Sequence, residues 1–580
     1  MELFRRLSVI LQKPEMVAPD QEAAVSHEKQ NIPKALADEF DNLGLVWLHT
    51  FAPCFALDGK KITVIHEPTI FYKTVMEKCR TAKQRITLAS LYLGTSHLEE
   101  QLVAAIGESL RRSGDQLKVK VLLDYTRGSR GKHNSCHMLQ PLLAQYPDLC
   151  QVVSLYHTPA LRGILRSLMP QRYNEVIGLQ HMKVYLFDNS LLISGANLSN
   201  DYFTNRQDRY MLIEDCGPLA DFYDSLVSRV SEFSLQLGEG DKVQLDASWK
   251  WHPYDGNREE FKSAARERVW SLYKSAMSQQ ESFSKSGDTW IFPLVEMGQL
   301  GFHQDSWVTT QLFETALPGS VIHLATGYFN LTREYTASVI SHSAATYNIL
   351  MAHPTANGFL GARGPAGGIP AGYTLVASEF FKRVQASGQE DRIQMAEFQK
   401  QGWTYHAKGL WYTLPGQHLP ILTFIGSPNF GCRSVSRDLE TQIAIVTKNP
   451  QLQQSLLEER ERLYASSTPF NSHTLSKPDR KHTPLVLSVW SLFRGKKRHC
   501  IISEFYASNI DGISAESETP VYPLCCAGFQ IYIQYFQTKA PTVRVCNKIC
   551  CWHNKQNEMI SENIHWSNAV QHAFSHKVVI

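Results

Sequence analysis

Apolar and polar positions in this chain fall into short blocks that alternate between strand and helix spacing, and the series occurs twice. Ile62-Thr-Val-Ile65 reads as a strand, and Glu67-Pro68 opens a helical segment through Lys83. Proline suits the first turn of a helix. Arg85–Ser96 follows as a strand running into a Gly-Thr-Ser turn, then a helix through Leu110 and the strand Leu117–Asp124. Strands alternating with helices predict an α/β fold, a largely parallel or mixed sheet under helical cover. Leu161, Ile164, Leu165, Leu168 and Met169 form one helical stripe, flanked by Arg162, Arg166 and Arg172 and ended by Pro170. Such a helix suits an anionic membrane surface, or equally a core-facing position with solvated arginines.

The segment Gly178-Leu-Gln-His-Met-Lys-Val-Tyr-Leu-Phe-Asp188 reads as a strand, with a turn at Asp188-Asn189-Ser190. A second strand then ends in a small-residue loop at Asn197. Side chains at i and i+2 of a strand share a face. His181 therefore points with Lys183, and Gly195 with Asn197.

Two correspondences predict an internal duplication. Ile86-Thr-Leu-Ala-Ser-Leu-Tyr-Leu93 matches Ile322-His-Leu-Ala-Thr-Gly-Tyr-Phe329 at an offset of 236, and His181 matches His406 at an offset of 225. The predicted layout is an N-terminal segment 1–45, a first lobe 46–246, a helical linker 247–288 and a second lobe 289–465. A linker 466–500 and a cysteine-rich tail 501–580 complete it. The glycine-rich stretch 358–372 is expected to edge the site of the second lobe.

Composition narrows the class. The chain has 580 residues, of which 43% are hydrophobic and 19% charged, as in an ordinary globular protein. A net charge of +3 argues against nucleic acid as a partner, because backbone binding needs a basic surface. No run of eighteen apolar residues occurs, so membrane contact is expected to be peripheral. Pro484–Phe493, apolar and followed by Arg494-Gly-Lys-Lys-Arg498, fits an interfacial anchor or a buried helix. Met1–Lys13 mixes arginine, serine and apolar residues as a transit peptide does, although Glu2 and its shortness fit a frayed terminus instead. Cysteines scattered through the body suggest reduced thiols. Cys500, Cys525, Cys526, Cys546, Cys550, Cys551, His499 and His553 have no standard zinc spacing, and no metal or other cofactor is expected.

Candidate chemistry lies in the repeat. His-x-Lys occurs four times, at His27, His181, His406 and His553. Only the middle two precede a Gly/Ser-x-Asn loop: Gly195-Ala-Asn197 and Ser427-Pro-Asn429. Each asparagine is followed eleven residues later by an acid, Asp208 and Glu440. Both halves thus supply histidine, lysine, asparagine and acid in one order. Ser427 is a further candidate hydrogen-bond donor. Thr126-Arg-Gly-Ser-Arg-Gly131 places Arg127 and Arg130 after a strand end, where they fit a phosphate contact or a solvated turn.

These motifs resemble the His-x-Lys-x4-Asp signature of the phospholipase D superfamily. His181, Lys183 and Asp188 complete the first copy, whereas the second has Thr413 in place of aspartate. The resemblance implies two αβα sandwich lobes about a pseudo-twofold axis with one shared active site. Gly178–Asn189, Asn205-Arg-Gln-Asp-Arg-Tyr210 and Tyr405-His-Ala-Lys-Gly-Leu-Trp411 more narrowly resemble the eukaryotic phosphatidylglycerophosphate synthase family, over about Ile62 to Tyr464. That implies phosphatidyl transfer from CDP-diacylglycerol to glycerol 3-phosphate in mitochondria, peripherally on the inner membrane. It implies His181 as nucleophile and His406 as acid/base. Lys183, Lys408, Asn197 and Asn429 would steady the phosphoryl oxygens, while Asp208 and Glu440 fix the imidazole tautomers. A nucleotide-phosphate contact by Ala89-Ser90-Leu91-Tyr92-Leu93-Gly94-Thr95-Ser96 is carried by analogy alone, since the Walker spacing and lysine are absent.

Overall fold

The structure, a computed structural model, describes residues 34–168, 174, 177–283, 287–361, 367–477 and 480, with the backbone of three short strands between 522 and 546. Met1–Lys13, Met169, Pro170, Arg172, Pro484–Arg498, His499, Cys500, Cys550, Cys551 and His553 lie outside the described residues. So do residues 362–366 of the glycine-rich stretch.

Two large sheets repeat one strand order. The first runs Cys150–Tyr156, Lys118–Asp124, Arg85–Ala89, Val184–Phe187, Ser190–Ser194, Tyr210–Ile213, Ile62–Ile65. The second runs Ile393–Phe398, Thr346–Ala352, Val321–Thr326, Lys408–Thr413, Leu422–Gly426, Leu439–Thr447, Thr289–Met297. In both, the first three strands are parallel and the rest antiparallel. The predicted duplication is therefore present strand for strand. Within the first sheet, Val184 and Leu186 enter one apolar cluster while Tyr185 and Phe187 enter another, as period-two alternation requires. The helix Arg258–Phe283 occupies the expected linker and buries Phe261, Ala265, Val269 and Tyr273.

The expected boundaries move. Helix Lys34–Asn42 is formed, and its Phe40 packs at 5.3 Å from the Trp290 ring and 5.8 Å from Phe292. Phe55–Leu57 pairs antiparallel with Thr289–Ile291, on the second sheet. Residues assigned to a free N-terminus and to the first lobe thus complete the second, because its edge strand and apolar rings need cover. At the other end, Ser467–Pro469 extends the second sheet, and Arg480 forms a buried two-point pair with Glu397 at 2.7 and 2.6 Å. The second lobe continues past 465 to at least Arg480.

The predicted stripe at 161–169 is divided. Leu161 is buried with Ala160 and Ile177, whereas Ile164 and Leu168 on helix Gly163–Leu168 are 64% and 70% exposed. Tyr522–Cys526, Phe529–Gln534 and Thr542–Cys546 form a three-stranded antiparallel sheet in a second compact unit, Asp511–Ile580.

Candidate active site

Short extended segments bring the two halves together. The backbone N–H of His181 donates to the carbonyl of Leu439 (2.8 Å), and that of Leu439 to Leu179 (2.7 Å). Reciprocally, the N–H of His406 donates to Gln207 (2.8 Å) and that of Thr404 to Asn205 (3.0 Å). Each lobe's histidine segment lies beside the other lobe's acid segment. Such reciprocity is what a twofold relation produces.

The carboxylates consequently cross over. Nδ1 of His181 lies 2.9 Å from Oε2 of Glu440, and Nδ1 of His406 lies 2.6 Å from Oδ2 of Asp208. All four side chains are buried. Each bond orients an imidazole and leaves its Nε2 for chemistry. Lys183 Nζ donates to the His181 carbonyl (2.7 Å), and Lys408 Nζ to that of His406 (2.8 Å). The Lys408 ammonium also lies 2.7 Å from Nδ1 and 3.1 Å from Nε2 of His406.

Burial dominates the electrostatics. It drives both imidazoles well below the usual histidine range, with the nearby lysines and arginines acting in the same direction. It pushes the Asp208 carboxyl up to about 6, partly opposed by Lys408, and lowers Lys408 to about 8, partly opposed by Asp208. Neutral imidazoles held at Nδ1 by a carboxylate keep an unprotonated Nε2 lone pair, which suits nucleophilic and general-base work.

Asn197 and Asn429 are buried, and Oδ1 of each has no protein partner. A buried unpaired amide oxygen is costly, and here the two occupy equivalent positions of the two halves. Gly195 lies beside this centre for a steric reason. A Cβ there would sit 2.7 Å from Oδ1 of Asp208 and 3.0 Å from Cδ of Lys408.

Other expected site residues have different work. Asp188 accepts the backbone N–H groups of Lys83, Gln84 and Arg85 at 2.7 to 3.2 Å, from the far end of the hairpin. Five residues of extended chain, about 16 Å, separate it from Lys183. It clamps a strand start and does not join the catalytic set. Its counterpart Thr413 lies buried in the ladder opposite Val321. Ser427 is committed to Thr441, donating to the carbonyl (3.2 Å) and accepting from the N–H (3.1 Å), and is not a substrate donor.

In Ala89–Ser96 the N–H groups of Ser90, Leu93, Gly94 and Ser96 donate to Leu122, Ser135, Leu198 and Glu99. The phosphate cradle expected there lacks these four donors. Tyr92 instead bonds Ser199 at 3.0 Å, just beyond Asn197. Arg127 is buried with its guanidinium 4.4 Å from the Tyr92 ring, and Arg130 is half-buried beyond it.

His181, Asp438 and Glu440 offer atoms close enough to hold a cation. Asp438 is engaged by Arg433 (2.7 Å) and the Leu179 N–H (3.0 Å), and Glu440 by His181 and Ser434 (2.7 Å). The cluster is therefore accounted for as a positioning network.

Two residues escaped sequence reasoning. Tyr202 brings its hydroxyl to 3.3 Å from Nε2 of His406. Arg209, next to Asp208, crosses to the second lobe. It bonds Glu459 (2.9 and 2.7 Å), Thr423 (2.8 Å) and the Phe424 carbonyl (2.7 Å), and lies 3.8 Å from the Trp411 ring. Gly409, at φ +119°, leaves room for it, since a Cβ there would lie 2.5 Å from the guanidinium. The Asn205–Tyr210 motif held Arg209 in plain view, but nothing local showed which lobe it served.

The paired His-x-Lys motifs on twin sheets resemble the two-motif arrangement of the phospholipase D superfamily. A bacterial phosphatidylserine synthase from Haemophilus influenzae shares the fold, with a TM-score of 0.59, 19% identity, and coverage of 81% of this chain and 99% of that one. No family model matches the chain. Among curated proteins, the human "CDP-diacylglycerol--glycerol-3-phosphate 3-phosphatidyltransferase, mitochondrial" is 46% identical over 475 residues, covering 77% of this chain and 85% of that protein. The yeast enzyme of that name is 30% identical, covering 85% of this chain and 98% of its own. A Dictyostelium discoideum relative, named as a probable enzyme of this activity, is 39% identical over 75% of this chain and 77% of its own. The chain belongs to the mitochondrial CDP-diacylglycerol–glycerol-3-phosphate 3-phosphatidyltransferase family.

Proposed function

We propose that this site transfers the phosphatidyl group of CDP-diacylglycerol to sn-glycerol 3-phosphate in two displacements. The crossed His–carboxylate pairs carry the reading, because they supply two oriented imidazoles in one buried centre. Nε2 of His181 attacks the phosphatidyl phosphorus. A P–N bond forms, the P–O bond to CMP breaks, and CMP leaves with the electron pair. His406 then takes the proton of the acceptor's primary hydroxyl, whose oxygen attacks phosphorus as the P–N bond breaks, and afterwards releases that proton to solvent. The product is phosphatidylglycerophosphate, and His181 is regenerated. Lys183, Lys408 and the amides of Asn197 and Asn429 stabilise charge on the phosphoryl oxygens, and Arg127 and Arg130 assist substrate phosphates from the rim.

The decisive experiment offers CDP-diacylglycerol with glycerol 3-phosphate, serine or water, in EDTA, and follows CMP. Glycerol 3-phosphate should drive release from the wild type and not from His181→Ala or His406→Ala. Release driven by serine alone, or abolished by EDTA, overturns the reading.

The same reading places the enzyme peripherally on the inner mitochondrial membrane. Among the described residues no helix is long and apolar enough to cross a bilayer. Exposed Ile164 and Leu168 stand beside Arg162 and Arg166, a combination suited to an anionic lipid surface. Ile164→Ser/Leu168→Ser should weaken sedimentation with anionic vesicles and spare turnover in detergent micelles. Unchanged sedimentation counts against this surface.

A further inference from the structure

The two halves match at the histidines, lysines and asparagines, but differ five residues after each asparagine. Asn197 is followed by Tyr202, on the short helix Asn200–Thr204, and Asn429 by Ser434, on Cys432–Ser436. Ser434 donates inward to Glu440 (2.7 Å) and accepts from the Asn429 N–H (3.1 Å). Tyr202 instead reaches across the lobe interface to His406.

Its ring meets the imidazole edge-on, with centroids 5.1 Å apart and planes at 80°. Tyr328 makes a similar contact from the second lobe, at 5.5 Å and 79°. The Arg206 guanidinium lies 4.7 Å from the Tyr202 ring and bonds Asp201 at 2.9 Å, which braces the tyrosine. At His181, among the described residues, no side chain bonds Nε2 and no aromatic ring makes such a contact. The reactive nitrogens of two otherwise equivalent histidines therefore have different surroundings.

We propose that Tyr202 is a positioning residue for His406: its hydroxyl reserves Nε2 of that imidazole for proton transfer, leaving Nε2 of His181 to attack phosphorus. This rests on the two-step transfer proposed above and adds to it a physical basis for dividing the roles. The half-reactions make unequal demands. CMP departs as a phosphate whose second pKa is about 6, so its release needs little help from an acid. The acceptor is an alcohol, and its attack requires a base. Tyr202 should therefore matter chiefly in the second step.

Tyr202→Phe keeps the ring and removes the hydroxyl. Rapid mixing with labelled CDP-diacylglycerol in mixed micelles, without glycerol 3-phosphate, should give a stoichiometric CMP burst in the wild type. Tyr202→Phe should retain the burst rate within about twofold and lose about tenfold or more in steady-state turnover with acceptor, part of the range for general-base catalysis. His181→Ala should show no burst.

The pH profile separates positioning from mere packing. Nε2 of His406 is faced by Tyr202 and Lys408, Nδ1 by Asp208 and Lys408, and the ring edge by Tyr328, with Arg206, Lys183 and His181 also acting on its charge. A hydroxyl donating to the Nε2 lone pair favours neutral imidazole. Removing it should shift the acidic limb of kcat to higher pH. Fluorotyrosine at position 202, a stronger donor of nearly the same size, should shift it lower and covers the case in which the phenylalanine variant folds poorly. Loss of the Tyr202→Phe burst in parallel with turnover, a burst surviving in His181→Ala, or an acidic limb unmoved by both substitutions overturns the assignment. A wild type without a burst counts against the covalent intermediate itself, and the pH limbs then decide the role of Tyr202.

Discussion

Asp208 of the first lobe accepts from the imidazole of His406 in the second, 2.6 Å away and with both side chains buried. Asp208→Asn can present Oδ1 or Nδ2 but carries no charge, so the orientation and tautomer of His406 are no longer enforced. Turnover should fall about 10²- to 10⁴-fold, the range for lost general-base function. Because Asp208 acts through His406, adding Asp208→Asn to His406→Ala should cost little more. Steady-state CMP release across this double-mutant cycle checks the coupling.

Gly195→Ala should reproduce much of that loss without touching a catalytic group. Its Cβ would intrude on the Asp208 carboxylate. Circular dichroism should show a folded protein, while kcat falls at least tenfold.

Asp188→Ala should separate stability from catalysis. Three backbone N–H groups lose their acceptor, which costs about 1–3 kcal/mol and lowers the denaturation midpoint. The turnover of the folded fraction should match the wild type.

Glu459→Gln should be the more damaging stability change. Arg209 and Glu459 are fully or nearly buried and join the lobes. Removing one charge of such a pair costs about 3–5 kcal/mol. Gly409→Ala should act on the same region, because its Cβ would run into the Phe424 carbonyl as well as the guanidinium, and urea denaturation should rank both variants below Asp188→Ala.

Activity should follow a bell in pH. Asp208, raised to about 6, must be ionised to accept from His406, and it titrates together with the imidazole it holds, so activity is lost as pH falls through about 6 and the acidic limb reports both groups. Lys408, lowered to about 8, must remain an ammonium, so activity is lost as pH rises through it. The sign for folding is opposite. A carboxyl raised on folding stabilises the fold at low pH and ceases to do so as pH rises through about 6. A lysine lowered on folding stabilises it at high pH and ceases to do so as pH falls through about 8. Lys408→Met should therefore abolish turnover, and because it also leaves the buried Asp208 without its nearest cation, thermal denaturation should show a smaller loss at pH 5, where Asp208 is protonated, than at pH 8.

The sequence exposed what local spacing encodes. Period-two alternation located the strands, and the twin His-x-Lys…Asn…acid series named most of the side chains that meet in the buried centre between the halves. The exchange of carboxylates between halves was hidden, because an acid eleven residues from its own asparagine says nothing about whose imidazole it meets. Tyr202 and Arg209 act across the lobe interface and were missed for the same reason. Ser427 was over-read, since Thr441 consumes its hydrogen-bonding capacity, whereas Asp188 completes the motif as a support of the fold, accepting three backbone N–H groups. Phe55–Leu57 was assigned by chain order to the nearer sheet, whereas an exposed edge strand of the other one claimed it.

The crossed segments also set when the chain becomes reactive during synthesis. His181 is translated more than 250 residues before Glu440, so throughout that interval it lacks its carboxylate and its enclosing wall. A ribosome-bound or prematurely terminated chain holding the complete first lobe has a histidine but no centre that can take up a phosphatidyl group. On the proposed mechanism, chemical competence arrives in one late event, the docking of Leu439 and Glu440 against Leu179 and His181, and truncated products should be silent toward the lipid pool.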